Sequence, residues 1–318
     1  MASRTRQLDG TAKSGPAYLL AFDHNARFLV GNVTYSDRSP GFDTQPGFID
    51  RTDIRDLTTS LAYTIRKSRK FLLSWGPQVK TENVWDHNGN YLTSRYRGGV
   101  NLELLRQTSF DAFFERRSDL LRPSDFQQLT SNAKYPQHTE GFDLSTNPVS
   151  SVELIASYAQ GAGINFFPAS GPPVSAESST VATGLSFRLG RALTINNSYL
   201  LSRLAQQSGR GIFDDHTLRT KWTYYFSRTF YVRTIFQINN VIPNTALVNL
   251  QRQKSFDADL LFTYLPHPGT AIYVGYNSDL ANFDRNLLVG SDGILQRRNG
   301  FINDGRQLFV KVMYLFKR

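Results

Sequence analysis

Asp257 and Asp259 stand two residues apart in a segment that reads as a strand, so both carboxylates leave the same face about 7 Å apart. Two carboxylates at such a separation could serve glycoside hydrolysis as acid and base or nucleophile. The alternative is that alternation alone puts charged residues on the wet face of a strand, and nothing else nearby argues for a reaction. The five histidines (His24, His87, His138, His216 and His267) share no i, i+3 or i+4 spacing with another ligand type, so no zinc motif is present. Asp214-Asp215-His216, and Asp279, Asp284, Asp292 and Asp304 around a late loop, could offer oxygen to calcium, yet none has the spacing of a dedicated calcium loop. No nucleophile elbow and no phosphate-binding glycine loop occurs. The reading is of a chain without catalytic or metal-binding residues and without a cofactor, suited to surface binding or uptake; a hydrolase with carboxylates in the barrel, or a soluble all-β binding domain, is the alternative.

A second set of candidates is basic: Arg66, Arg95, Arg97, Arg188, Arg219, Lys221, Arg233 and Lys311 all fall on the polar faces of alternating segments. Lining a pore, such residues would favour anions. Paired with Glu103, Asp111, Glu115, Asp257 and Asp259, they would instead form a structural network. Aromatic residues expected in or near the longer loops (Tyr135, Phe142, Phe166, Phe167 and Phe213) could stack on sugar rings or simply pack the loops.

The elements that would position these residues are strands throughout. Lys254–Tyr264 places Phe256, Ala258, Leu260, Phe262 and Tyr264 on one face, and Ser255, Asp257, Asp259, Leu261 and Thr263 on the other. The same grammar sets Leu218, Trp222, Tyr224 and Phe226 against Arg219, Lys221 and Thr223, and Val100, Leu102 and Leu104 against Arg95, Arg97, Asn101 and Glu103. Aromatic residues gather at strand ends, as they do at membrane interfaces. Short turns near His24, Lys67–Arg69, Arg106, Asn147–Val149, Gly190, Ser227 and Pro266–Gly269 alternate with longer polar connections at about 36–52, 80–90, 119–138, 162–178, 205–213, 240–251 and 282–303. Tight turns at one end and long loops at the other are the asymmetry of bacterial membrane barrels.

The fold class expected is therefore all-β, an antiparallel transmembrane β-barrel with about fifteen strands visible, part of a barrel of sixteen or more. Composition agrees: no stretch nears the roughly 20 apolar residues of a membrane helix, and a mean hydropathy of −0.36 suits alternating strands. The absence of cysteine excludes disulfides and thiolate chemistry. A net charge of +10 is spread along the chain with no nucleic-acid motif, so nucleic acid is not an expected partner. Residues 1–15 read as a polar loop segment ahead of a single barrel domain. Its lack of an apolar signal, with the odd strand count, gives the expectation that the chain is a fragment starting partway through a bacterial outer-membrane barrel, its signal peptide on a missing N-terminal part.

The final strand closes the pattern with Val310, Val312, Tyr314 and Phe316 on one face. It is similar to the C-terminal signal read by the barrel-assembly machinery, but departs from it in adding Lys317-Arg318. Outer-membrane lipid and that machinery are the expected partners.

One loop carries a family resemblance. Ser39-Pro40-Gly41-Phe42, then Gly47-Phe48, then Arg51, Asp53, Ile54 and Arg55 leading into a strand, resembles the C-terminal barrel region of bacterial proteins in which a family-9-like carbohydrate-binding module precedes a domain of unknown function. The resemblance covers essentially the whole chain. It implies an outer-membrane barrel following a binding module, a carbohydrate-derived ligand, and no catalytic residues.

Overall fold

The computed structural model describes residues 2–6, 12–43, 51–66, 71–283 and 297–316. Its strands are β1 (Ala2–Arg6), β2 (Ala12–Asn25), β3 (Leu29–Arg38), β4 (Ile54–Tyr63), β5 (Ile65–Arg66), β6 (Leu72–Trp85), β7 (Tyr91–Leu104), β8 (Thr108–Leu121), β9 (Ala133–Val149), β10 (Val152–Asn165), β11 (Val174–Leu189), β12 (Leu193–Ala205), β13 (Gly211–Tyr225), β14 (Phe230–Pro243), β15 (Gln253–His267), β16 (Thr270–Phe283) and β17 (Arg297–Tyr314). No helix occurs among the described residues. Apart from β4 and β5, which both pair with β6, each strand pairs antiparallel with the next along the chain, a simple meander in one sheet.

β4 and β5 both pair with β6 in one register, Ala62 opposite Gln78 and Ile65 opposite Trp75. They are one strand interrupted at Thr64, where its neighbour on β6 reads Gly76-Pro77. Proline has no N–H to give the ladder, and Gly76 leaves no room for a side chain, because a Cβ there would collide with the Tyr63 carbonyl oxygen. Counted this way the sheet has sixteen antiparallel strands among the described residues. The additional strand lies where a polar loop is expected: within residues 1–15, β1 pairs with the start of β2 from Ala2 opposite Pro16 to Arg6 opposite Ala12.

Cross-strand partners share a face, so the ladders sort the residues. Leu218, Ile238, Phe256 and Leu280 are successive partners on one face; Arg219, Gln237, Asp257 and Asp279 are successive partners on the other. The polar face is the concave one. Gln78 on β6 hydrogen-bonds Asp111 on β8, across β7, and Arg97 on β7 reaches Asp143 on β9 at 3.6 Å, across β8. Alternate strands of a flat sheet lie roughly 10 Å apart, so side chains converge like this only inside a curve.

The convex face is apolar and uncovered: Leu218 is 47% exposed, Trp222 48% and Tyr264 46%. A soluble sandwich would bury these residues between two sheets. Here, among the described residues, buried apolar side chains gather in only two small clusters, Ile54, Val84 and Leu92 with Leu120, and Ala176, Leu204, Ile212 and Val248. An antiparallel sheet with an exposed apolar outside, a polar inside and no apolar core between its strands is a transmembrane β-barrel.

Most strands are 14 residues or longer, beyond the roughly 9–11 that cross a bilayer. The surplus lies at the long-connection end, so strands replace part of the expected loops. The connections there shrink to 86–90, 122–132, 166–173, 206–210 and 244–252, and Tyr135, Phe142 and Phe213 stand in strands β9, β9 and β13. Asn147–Val149, expected as a turn, ends β9, and the chain reverses at 150–151. The turn expected at 67–69 lies outside the described residues. The asymmetry itself persists, with 26–28, 105–107, 150–151, 190–192, 226–229 and 268–269 at the opposite end.

Candidate functional site: lumen and loop rim

The ladders place all eight basic candidates on the concave face, but in two different settings. On β7, Arg95 is bracketed by Glu115 at 2.8 Å and Glu82 at 3.8 Å. Arg97 lies between Asp111 at 3.5 Å and Asp143 at 3.6 Å, with its guanidinium 3.5 Å above the Phe113 ring. These two arginines are engaged in a charge network spanning β6 to β9, as the structural reading expects. Glu103, on the same strand as these arginines, has Ser74 and Ser109 as its cross-strand partners.

Arg188, Arg219, Lys221, Arg233 and Lys311 are different. Among the described residues no carboxylate oxygen comes within 4.0 Å of any of them. They spread over β11, β13, β14 and β17 of the same wall as Asp257, Asp259 and Asp279. Asp259 accepts a hydrogen bond from Asn277 at 2.6 Å, and Asp257 faces Gln237 on one side and Asp279 on the other. Arg66 is exposed opposite Ser74 near the short turns. One wall of the lumen thus carries direct ion pairs, and on the other none forms to these five basic groups among the described residues.

The family-motif loop is chiefly a packing device. Phe42 is buried, and its N–H donates to the Ser39 carbonyl in a tight turn. Gly41 presses against the Ser14 carbonyl, where any Cβ would overlap it. Asp53 receives the backbone N–H of His87, Arg55 donates to Asp37 at 3.3 Å, and Arg51 stands 4.0 Å from Asp125. Gly47 and Phe48 lie outside the described residues, as do Asp284 and Asp292 of the calcium reading. Among the described residues no group of three potential metal ligands converges.

From this loop contacts continue along part of the rim, beginning with Arg51 and Asp125. Phe126 stacks on Phe166 at 5.7 Å, linking 122–132 to 166–173. The latter binds 244–252 through Asn165 Nδ2 to the Leu247 carbonyl (3.1 Å), Ala169 N–H to the same carbonyl (3.2 Å) and Asn249 N–H to the Phe167 carbonyl (2.8 Å). Val248 is buried with Ala176, Leu204 and Ile212 beneath them. Sequence reading missed this meeting of loops some 80 residues apart, because no local signal encodes it.

Between these loops lies a cleft of about 560 Å³. Its polar lining is Asn165, Ser170, Ser175, Gln206, Gln207 and Ser208, over apolar Pro168, Val174, Ile212 and Leu247, and no charged side chain lines it. A larger cleft of about 660 Å³, with Pro266, Pro268, Met313 and Leu315 in its wall, sits at the short-turn end and is almost wholly apolar. Thr229, His267 and Thr270 are the polar side chains in its wall besides the Tyr314 hydroxyl.

The assembly-signal residues Val310, Val312, Tyr314 and Phe316 are 62–83% exposed, with Tyr314 and Phe316 edge to face at 4.7 Å. Other turn-side aromatics form similar pairs, Tyr224 with Phe226 and Phe226 with Phe230. At the rim, Trp85 lies between Tyr35 and Tyr91. Aromatic residues thus pair at both ends of the strands.

No family model and no curated protein matches the sequence. Solved structures with a similar sheet include the FrpB iron transporter of Neisseria meningitidis (TM-score 0.47, 13% identity, covering 99% of this chain and 65% of that one). The ferric enterobactin receptor PfeA gives a TM-score of 0.46 at 9% identity over 89% of this chain, which spans about half of that receptor, 53%. An anion-selective porin from Comamonas acidovorans gives 0.36 at 9% identity, covering 94% and 98%.

Proposed function

We propose that this chain is a bacterial outer-membrane barrel working in surface binding and uptake of solutes, without catalysing a reaction, and that its ligands are carbohydrate-derived. The observation that carries the reading is the rim cleft: a charge-free set of amides and hydroxyls, held over an apolar floor by interlocked loops, at the mouth of a polar lumen. Amides and hydroxyls both donate and accept, so they match hydroxyl-rich neutral solutes, and the cleft is within the size range of small-ligand sites. The exposed Phe167 beside it offers a ring face for stacking. The family resemblance points to the same ligand class. The final strand, with its exposed outward aromatics, serves as the contact for assembly machinery and lipid.

Liposome swelling with sugars of graded size tests uptake, and equilibrium binding of the same sugars to detergent-solubilised protein tests the cleft. Gln206→Ala with Gln207→Ala is expected to weaken binding at least tenfold while leaving swelling by the smallest sugars unchanged. Binding unaffected by this pair of changes would remove the cleft from the reading, and absence of swelling with every sugar would remove uptake.

A further inference from the structure

At the short-turn end of the sheet, aromatic residues stand on both faces. Tyr224, Phe230 and Tyr264 share the outward face of Leu218, where the membrane interface explains them. The inward ones have no such explanation, because the inside of a barrel is polar. Tyr231, Thr263, Tyr273 and Lys311 are successive cross-strand partners on β14, β15, β16 and β17, on the face of Arg219 and Asp257. Tyr225, the partner of Tyr231, extends the row by one strand, with the two rings 5.2 Å apart.

Two residues nearer the rim on the same face, Phe309 is the partner of Gly275. A Cβ at Gly275 would overlap the Phe309 ring carbons, so the ring lies against the strand backbone there. Gly275 is buried, yet Phe309 is 41% exposed, which leaves the other side of its ring to the lumen. Lys311 is exposed on the same face, about 7 Å along the strand from Phe309. Thr263, between two tyrosines in the row, is wholly buried, and its hydroxyl has no hydrogen-bond partner among the described residues. A buried hydroxyl left unpaired is a cost that a hydroxyl-rich ligand in this row would relieve.

These groups are complementary to one kind of solute. A ring face takes the apolar side of a sugar, and phenol hydroxyls donate to and accept from its hydroxyls. An ammonium makes charge-assisted hydrogen bonds to an acidic substituent, which the charge-free rim cleft does not provide. We infer that this inner wall at the short-turn mouth is a second binding site, selective for sugars that carry an acidic group. Phe309 and Tyr273 take the sugar ring, and Lys311 takes the carboxylate or phosphate. The inference rests on the carbohydrate reading above and names the class of sugar.

Equilibrium binding of glucose, glucuronate and glucose 6-phosphate to the detergent-solubilised protein tests it, with heat-modifiable gel migration showing that each variant is folded. At least one acidic sugar should bind about tenfold tighter than glucose, and comparing the two separates carboxylate from phosphate. Lys311→Gln should remove that preference and leave glucose unchanged. Tyr273→Leu should weaken the acidic sugar about fivefold, whereas Tyr273→Phe, which keeps the ring, should stay within about twofold of the unaltered protein. The protein with Gln206→Ala and Gln207→Ala should bind the acidic sugar as the unaltered one does. Acidic sugars that bind no tighter than glucose, or that are indifferent to Lys311→Gln, would overturn the inference and leave these aromatic residues as packing of the wall. Acidic-sugar binding lost in the rim pair but kept in Lys311→Gln would overturn it too, while supporting the proposed function. Failure of every sugar to bind or to swell liposomes would remove the proposed function and this inference with it.

Discussion

His87 and Asp53 are joined twice: the His87 backbone N–H donates to Asp53 Oδ1 at 3.2 Å, and the ring Nδ1 lies 2.9 Å from the same oxygen. The other ring nitrogen, Nε2, lies 3.0 Å from Asp37 Oδ1. One imidazole therefore ties the end of the 39–53 loop to β3 and to the 86–90 turn. Asp53 is held at a φ of 58°, a left-handed conformation that such a clamp helps to maintain.

Removing the ring should free that loop. His87→Ala is expected to raise amide exchange at 51–54 by roughly 5–30-fold, the equivalent of about 1–2 kcal/mol of lost local stability. Hydrogen exchange read by mass spectrometry checks this. Unchanged exchange would show that Phe42 and Ile54 hold the loop alone.

The 86–90 turn should fail at low pH. Burial pushes the Asp86 carboxyl up, but the Asn90 side chain and the Asn90 and Asn88 backbone N–H groups, at 2.8–3.0 Å, outweigh it and hold it below the usual carboxylate range. A depressed folded-state value means the stabilisation is fully present above the ordinary carboxylate range, about pH 4, and is lost as pH falls through the lower folded value. Hydrogen exchange at pH 5 and at pH 3, corrected for intrinsic rates, should show the turn loosening only at the lower pH, and Asp86→Asn should abolish the difference.

Lumen charges should move ion selectivity in opposite directions. Lys221→Gln removes a basic group that has no carboxylate within 4.0 Å among the described residues, and should shift reversal potentials toward cations. Asp257→Asn with Asp259→Asn should shift them toward anions and leave any turnover of glycans or lipids unaltered. Arg95→Gln should have the smaller effect on selectivity, because that charge is already engaged by Glu82 and Glu115. Planar-bilayer recordings under a salt gradient measure all three. A hydrolytic activity that the paired aspartate changes abolish would make the chain an enzyme.

Gly76 should resist substitution. A methyl group there meets the Tyr63 carbonyl oxygen opposite the interruption between β4 and β5, so Gly76→Ala is expected to cost about 1–3 kcal/mol, in the range of overpacked sites. A lowered urea midpoint would show it. Gly98→Ala, where a Cβ meets nothing within 4 Å, is the matched control.

Alternation by itself determined the strands, their two faces, and which face each of Arg95, Arg97, Arg219, Lys221, Asp257 and Asp259 occupies, because a period of two is imposed by the extended backbone wherever the strand ends up. The sorting of short and long connections, and hence the barrel, was legible for the same local reason. Strand lengths were read short at the rim, since Tyr135, Phe142 and Phe213 belong to strands that outrun the membrane and meet no change in local pattern. What the tertiary structure decided is who faces whom. Arg97 reaches Asp143 and Gln78 reaches Asp111 only because curvature folds alternate strands together. Asn165 finds Leu247 only because two distant hairpins rise side by side. The ion-pair network of β6 to β9, and the charge-free cleft at the mouth of the lumen, follow from those neighbours, and no spacing along the chain encodes them.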